Sequence, residues 1–117
     1  MYFRTLCIIK EDILCVGGIN SKGFYLINIS SHQLIKNIIG PMEIYSIYKY
    51  LEGLLICSIQ NENGNYSIVK YKYENEEMKI IIEKEKAHEN QINTCIELND
   101  GKIASGGDDK LIKLWRN

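Results

Sequence analysis

Proline appears once, tryptophan once and histidine twice in 117 residues, and the scarcity of histidine weighs against metal chemistry. His32 and His88 are the only histidines, and Cys7, Cys15, Cys57 and Cys95 show no CxxC or other close ligand spacing. A zinc site therefore lacks its ligand set. Each cysteine lies instead in an apolar stretch such as "TLCII" or "LLICSI", the setting of reduced packing residues in an intracellular protein. Charge of one sign is also missing: 14 Lys and Arg stand against 15 Asp and Glu, for a net charge of −1. These charges are interspersed along the chain, which disfavours a phosphate-tracking surface and so a nucleic-acid partner. Long apolar runs are absent as well. The longest, "GLLICSI", is far short of the roughly 20 residues that cross a bilayer, and Arg4 interrupts the first apolar run where a secretory signal needs continuity. A soluble, cytoplasmic chain without a membrane partner is expected. The stretch "VGGINSKG" has glycines and a lysine but precedes a strand pattern where a phosphate loop needs a helix, so no cofactor is expected.

What the chain does have is short runs of Ile, Val, Leu and Tyr separated by turn residues, which predicts strands. The expected strands are "FRTLCIIK", "ILCVGG", "GFYLINI", "QLIKNIIG", "EIYSIYKY", "GLLICSIQ", "YSIVKYKY", "MKIIIEKE", "INTCIEL", "KIASGG" and "KLIKLW". Between them "KED", "NSK", "ISSH", "NENGN", "ENEE", "AHENQ", "NDG" and "GDDK" read as loops. The charged flanks of "YENEEMKIIIEKEKAHEN" suit a helix, but the β-branched "KIII" at its centre favours a strand. A single domain of this length buries about two-thirds of its unfolded surface, enough for a real core.

The strands also repeat. "ILCVGGINSKGFYLIN", "LLICSIQNENGNYSIVKY" and "KIASGGDDKLIKLW" align with Gly17, Ser58 and Gly106 as equivalents, at intervals of 41 and 48 residues. The first interval falls within the period of about 40–45 residues of four-stranded propeller blades. The third repeat carries the most specific pattern: His88 in "AHEN", Ser105 in "ASGG", Asp109 in "GDDK" and Trp115 in "KLWRN". This set resembles the WD-repeat (WD40) β-propeller family, whose blades carry a Gly-His pair, three strands, an Asp in a tight turn and a terminal Trp-Asp. The resemblance implies an all-β partial propeller of four-stranded antiparallel blades spanning about 2–40, 41–85 and 86–117, the last incomplete. It further implies a structural relay in which Asp109 accepts from the His88 ring, His88 accepts from the Ser105 hydroxyl, and Ser105 accepts from the Trp115 indole. The earlier repeats depart from the pattern, with Asn20 and Asn61 at the aspartate position, Tyr71 at the tryptophan and Pro41 at the histidine.

A His-Ser-Asp trio is also the material of a hydrolytic triad, but a triad serine needs an exposed, strained elbow, and Ser105 sits in a strand pattern. The carboxylates of "ENEE" and "EKEK" lie among lysines as charge-balanced exposed faces do. His32 reads as a solvated turn residue. The resemblance places Glu97 on the innermost strand near the channel, in solvent. It also places the binding rim on the loops before the first strand of each blade and between its second and third. There stand Ile19, Asn20, Gln60, Asn61, Glu89, Asn90, Gln91 and Asp108, all but Ile19 polar and together suited to protein or peptide partners. The expected function is a non-catalytic scaffold or adaptor; the alternative is the targeting module of an enzyme whose catalytic domain lies outside this chain. Rings close with about four to eight blades. Three blades therefore imply a longer protein, self-association or completion by another polypeptide, the first being the expectation. An open arc also exposes the Ile, Leu and Tyr of its end faces.

Overall fold

A computed structural model describes residues 2–116, and within them the chain is all-β. β1 (Tyr2–Lys10), β2 (Ile13–Ile19), β3 (Gly23–Asn28) and β4 (Gln33–Ile39) form one antiparallel sheet in that order. β5 (Glu43–Leu51), β6 (Leu54–Gln60), β7 (Tyr66–Glu74) and β8 (Glu77–His88) form a second, and β9 (Ile92–Glu97), β10 (Ile103–Gly107) and β11 (Ile112–Trp115) a third. The sheets follow one another as blades of a partial propeller, with β1, β5 and β9 side by side along its inner edge. Because all pairing is antiparallel, the connections after β2, β4, β6, β8 and β10 gather at one end of the blades.

The sequence accounts for this layering. β2 and β6 are near-continuous apolar runs and are buried along most of their length, β6 between the first and third sheets and β2 inside the first sheet against the second. β1 and much of β8 alternate, as strands with one solvated face do. Two seams result. Between the first and second sheets, Ile9, Cys15, Phe24 and Leu26 pack on Ile44, Leu55, Val69 and Tyr71. The Phe24 ring meets Tyr71 edge-on, centroids 5.2 Å apart, a favoured aromatic geometry. Gly17 admits this approach, since a Cβ there would lie 2.8 Å from Ile44 Cβ. Between the second and third sheets, Ile56, Ile68 and Ala87 pack on Ile92, Cys95 and Ile103. The outer faces of the end sheets are exposed and apolar, with Leu6, Ile8 and Leu34 on one and Ile96, Ile112 and Leu114 on the other.

Two expectations are corrected. β8 does not stop at "EKE" but runs through Ala87 and His88, which the sequence reading assigned to a loop. It does so by a bulge: the β7–β8 register shifts between Tyr66 and Ile68, and Lys86 adopts φ 53°. The bulge breaks alternation, so that exposed Lys86 is followed by two buried residues, Ala87 and His88. Glu97 is not in open solvent. It is half-buried at the end of β9, with Oε2 4.0 Å from the Nζ of buried Lys70 on β7. Lys70 Nζ also lies 4.7 Å from the Tyr50 ring centroid, so this cluster ties the second sheet to the third. No helix among the described residues is long and apolar enough to cross a membrane.

Candidate functional site

The β8 bulge delivers the His88 ring into the third sheet. His88 Nδ1 lies 2.8 Å from Asp109 Oδ2, His88 Nε2 lies 2.8 Å from Ser105 Oγ, and Trp115 Nε1–H donates to Ser105 Oγ at 2.9 Å. The direction of the protons follows from the carboxylate. Ionised Asp109 only accepts, so His88 Nδ1 carries the proton that faces it. In the neutral ring Nε2 is then bare and accepts from the Ser105 hydroxyl, whose oxygen in turn accepts from the Trp115 indole N–H. Four side chains from β8, β10, the β10–β11 turn and β11 are joined with each donor matched to an acceptor. Burial raises the Asp109 carboxyl pKa, but hydrogen bonds from His88 and from the backbone N–H groups of Leu111 and Glu89 outweigh it and hold the value below the ordinary one. Gly107 makes room for the ring: a Cβ there would sit 2.9 Å from His88 Nδ1.

The Asp-His-Ser connectivity is that of a triad, but the environment differs. Ser105 is 2% exposed, lies mid-strand, and has its oxygen occupied by the Trp115 N–H, whereas an attacking serine must reach substrate. What the arrangement does physically is cross-link. Lys113 Nζ adds a further tie, donating to the Ala87 carbonyl at 2.8 Å across the seam. Among the described residues no cluster of three or more His, Cys, Asp or Glu is placed to hold a metal ion.

The other predicted site residues lie at the loop end in two groups. Asn20, Gln60 and Asn61 line one groove of about 810 Å³ between the first and second sheets, joined there by Lys22, Pro41, Met42, Glu43 and Glu62. One wall of the groove is fixed by its own hydrogen bonds. The Tyr45 hydroxyl is 3.2 Å from Glu43 Oε2 and 3.3 Å from Gln60 Oε1, while Gln60 Nε2 donates to the Gly64 carbonyl at 3.2 Å. Burial, and then the Glu43 charge, push the Tyr45 pKa up to about 12, which keeps it a donor. Asn61 Oδ1 accepts from the N–H groups of Asn63 and Asn65, each at 3.0 Å, and so shapes the β6–β7 loop.

The second group surrounds the third sheet. Asp108 N–H donates to the Gln91 carbonyl at 2.8 Å, Gln91 Nε2 donates to Asn93 Oδ1 at 2.9 Å, and Asn93 Nδ2 donates to Asp108 Oδ1. Glu89 and Asn90 are exposed beside this web. Ile19 joins neither group, being the last residue of β2 and paired with Tyr2. The sequence reading missed Lys22, Met42, Glu43 and Glu62, although the loops "NSK", "GPMEI" and "NENGN" that carry them follow the same rule that picked out their neighbours.

Solved structures include chains of similar fold. A chain in the crystal structure of a mitotic checkpoint complex matches with a TM-score of 0.75 and 16% sequence identity, over 98% of this chain and 36% of that one. The likeness is one of fold. The present chain spans about a third of its length, and neither a family profile nor a curated protein matches the sequence.

Within that fold the ladders define which residues are equivalent between sheets. Ile103 is opposite Trp115 on β10–β11, and Leu55 is opposite Tyr71 on β6–β7. Counting two residues along, Ser105 corresponds to Cys57. The relay joins His88 of β8 to three residues of the third sheet; at the places of Ser105 and Trp115 the second sheet carries Cys57 and Tyr71, both in the apolar seam.

Proposed function

We propose that this chain is a WD-repeat-like, non-catalytic scaffold that holds protein or peptide partners at the loop end of its blades, in the cytoplasm. The observation that carries this reading is the groove between the first and second sheets. Its apolar lining of Ile39, Pro41 and Met42 is accompanied by polar side chains from three loops, and Glu43 in its wall is held by the Tyr45 bond. A preformed groove of this kind lowers the ordering cost that a flexible loop surface would impose on binding. The relay supports the WD-repeat assignment, since it joins the residue types of that family's blades through donors and acceptors that match in sequence. Fold likeness to a chain of a multi-protein complex is in keeping with a binding role.

The test is affinity capture with tagged wild type and with Met42→Arg, which puts a charged chain into the groove at a partly buried residue packed against the first seam, circular dichroism showing that the variant is folded. Partners retained by wild type are expected to be lost from the variant. An identical set of captured proteins would remove the groove, and with it the reading.

A further inference from the structure

Cys7 and Cys15 stand directly opposite each other in the β1–β2 ladder. From this register we propose that they form a reversible intramolecular disulfide, making the inner edge of the first sheet a thiol-redox site whose co-substrate is glutathione disulfide. Opposite residues of an antiparallel pair have Cα atoms about 4.5 or 5.5 Å apart, and disulfides span Cα separations of about 4.4–6.8 Å. Closure therefore requires side-chain rotation without a change of register. Opposite residues also share a face of the sheet, and here it is the face against the second sheet, with Cys15 in the seam and Cys7 packed beside it.

Access differs between the two thiols and assigns their roles. Cys7 is half-buried, its Sγ 3.7 Å from the Ile8 carbonyl, whereas Cys15 is 0% exposed. Cys7, as thiolate, attacks one sulfur of glutathione disulfide; a mixed disulfide forms and one glutathione thiolate leaves. Cys15 then loses its proton and attacks the Cys7 sulfur, closing the Cys7–Cys15 bond and expelling the second glutathione thiolate. Two protein thiols are oxidised, one glutathione disulfide is reduced to two thiols, and the two protein protons end on them. Burial, with a smaller contribution from Cys7, raises the Cys15 thiol pKa. Cys57 and Cys95 have no thiol across their ladders: Cys57 is opposite Ile47 and Val69, and Cys95 is opposite Ser105.

The experiment is equilibration of the purified chain in glutathione buffers of rising disulfide content, followed by acid quenching, alkylation, intact mass and peptide mapping. The expected product is a monomer lighter by two hydrogens with Cys7 joined to Cys15, and with Cys57 and Cys95 alkylated only after unfolding. Cys15→Ala is expected to stop at the mixed disulfide on Cys7, and Cys7→Ser to remain unmodified while folded. Absence of the lighter monomer across the series overturns the proposal, as does a bond from Cys7 to Cys57 or one between two chains. If Cys15→Ala does not fold, as judged by circular dichroism, peptide mapping of the wild type decides alone.

Discussion

At equivalent ladder positions the third sheet places Ser105 and Trp115, and the second places Cys57 and Tyr71. The first pair belongs to a chain of directed hydrogen bonds; the second packs in a seam with Phe24, Leu26, Leu55 and Val69. The third sheet has three strands, two of them no longer than five residues, while the second has four strands of seven or more. A small sheet has less apolar area to bury, and a relay gives it cohesion that area alone does not supply. The two solutions fail differently. Apolar seams lose stability in proportion to the volume removed, whereas a relay is damaged by the loss of any one member, because each loss strands its neighbours.

The largest effect is expected where the seam between the first two sheets is emptied. Phe24→Ala removes a fully buried ring that meets Tyr71 edge-on and is expected to cost about 3–5 kcal/mol. Urea unfolding measures it, and a loss no greater than that of Ser105→Ala would break the contrast drawn between the sheets.

Exchanging the chemistry of the two sheets tests it next. Ser105→Ala leaves the Trp115 N–H and His88 Nε2 without their partner and is expected to cost about 1–3 kcal/mol. Cys57→Ser places a hydroxyl in the apolar seam, where Cys57 is 0% exposed, at a similar expected cost of about 1–3 kcal/mol. If serine were tolerated in the second sheet as well as it serves in the third, the equivalence would be one of register alone. Trp115→Phe is milder: it deletes one donor and keeps an aromatic ring on β11, for an expected loss of about 0.5–1.5 kcal/mol. Combining it with Ser105→Ala should be less than additive, since both remove the same bond.

How far these features could be read in advance depends on whether their cause is local. The strands were legible because Ile, Val and Tyr runs bounded by "NDG", "NENGN" and similar turns carry their preference in the local chain. His88, Ser105, Asp109 and Trp115 stood out as rare residue types at fixed offsets. The β8 bulge did not, because Lys86 at φ 53° is a conformation that its side chain does not announce. Glu97 was misplaced for a related reason. Its neighbour Lys70 sits in "YSIVKYKY", where alternation alone does not reveal that β7 faces the third sheet, and only the docking of that sheet brings the two charges to 4.0 Å. The groove is likewise a product of packing: Lys22, Met42 and Glu62 come from three loops that meet only when two blades lie side by side.

The smallest expected effect concerns the charge at the end of the relay, and pH isolates it. Asp109 has its carboxyl pKa held below the ordinary value once the opposing effect of burial is overcome by His88 and two backbone N–H groups. A carboxylate with a lowered folded-state value binds fewer protons folded than unfolded, so its contribution is fully present above the ordinary carboxylate range. That contribution is lost as pH falls through the lowered value. Asp109→Asn keeps an oxygen that accepts from His88 Nδ1–H and Leu111 N–H but removes the charge. Wild type should therefore unfold at higher urea than the variant near neutrality, with the gap closing below about pH 4 as the carboxylate protonates. A gap that stays constant into acid would mean that the carboxylate acts at this position through shape and hydrogen bonding, and that its charge adds nothing to the third sheet.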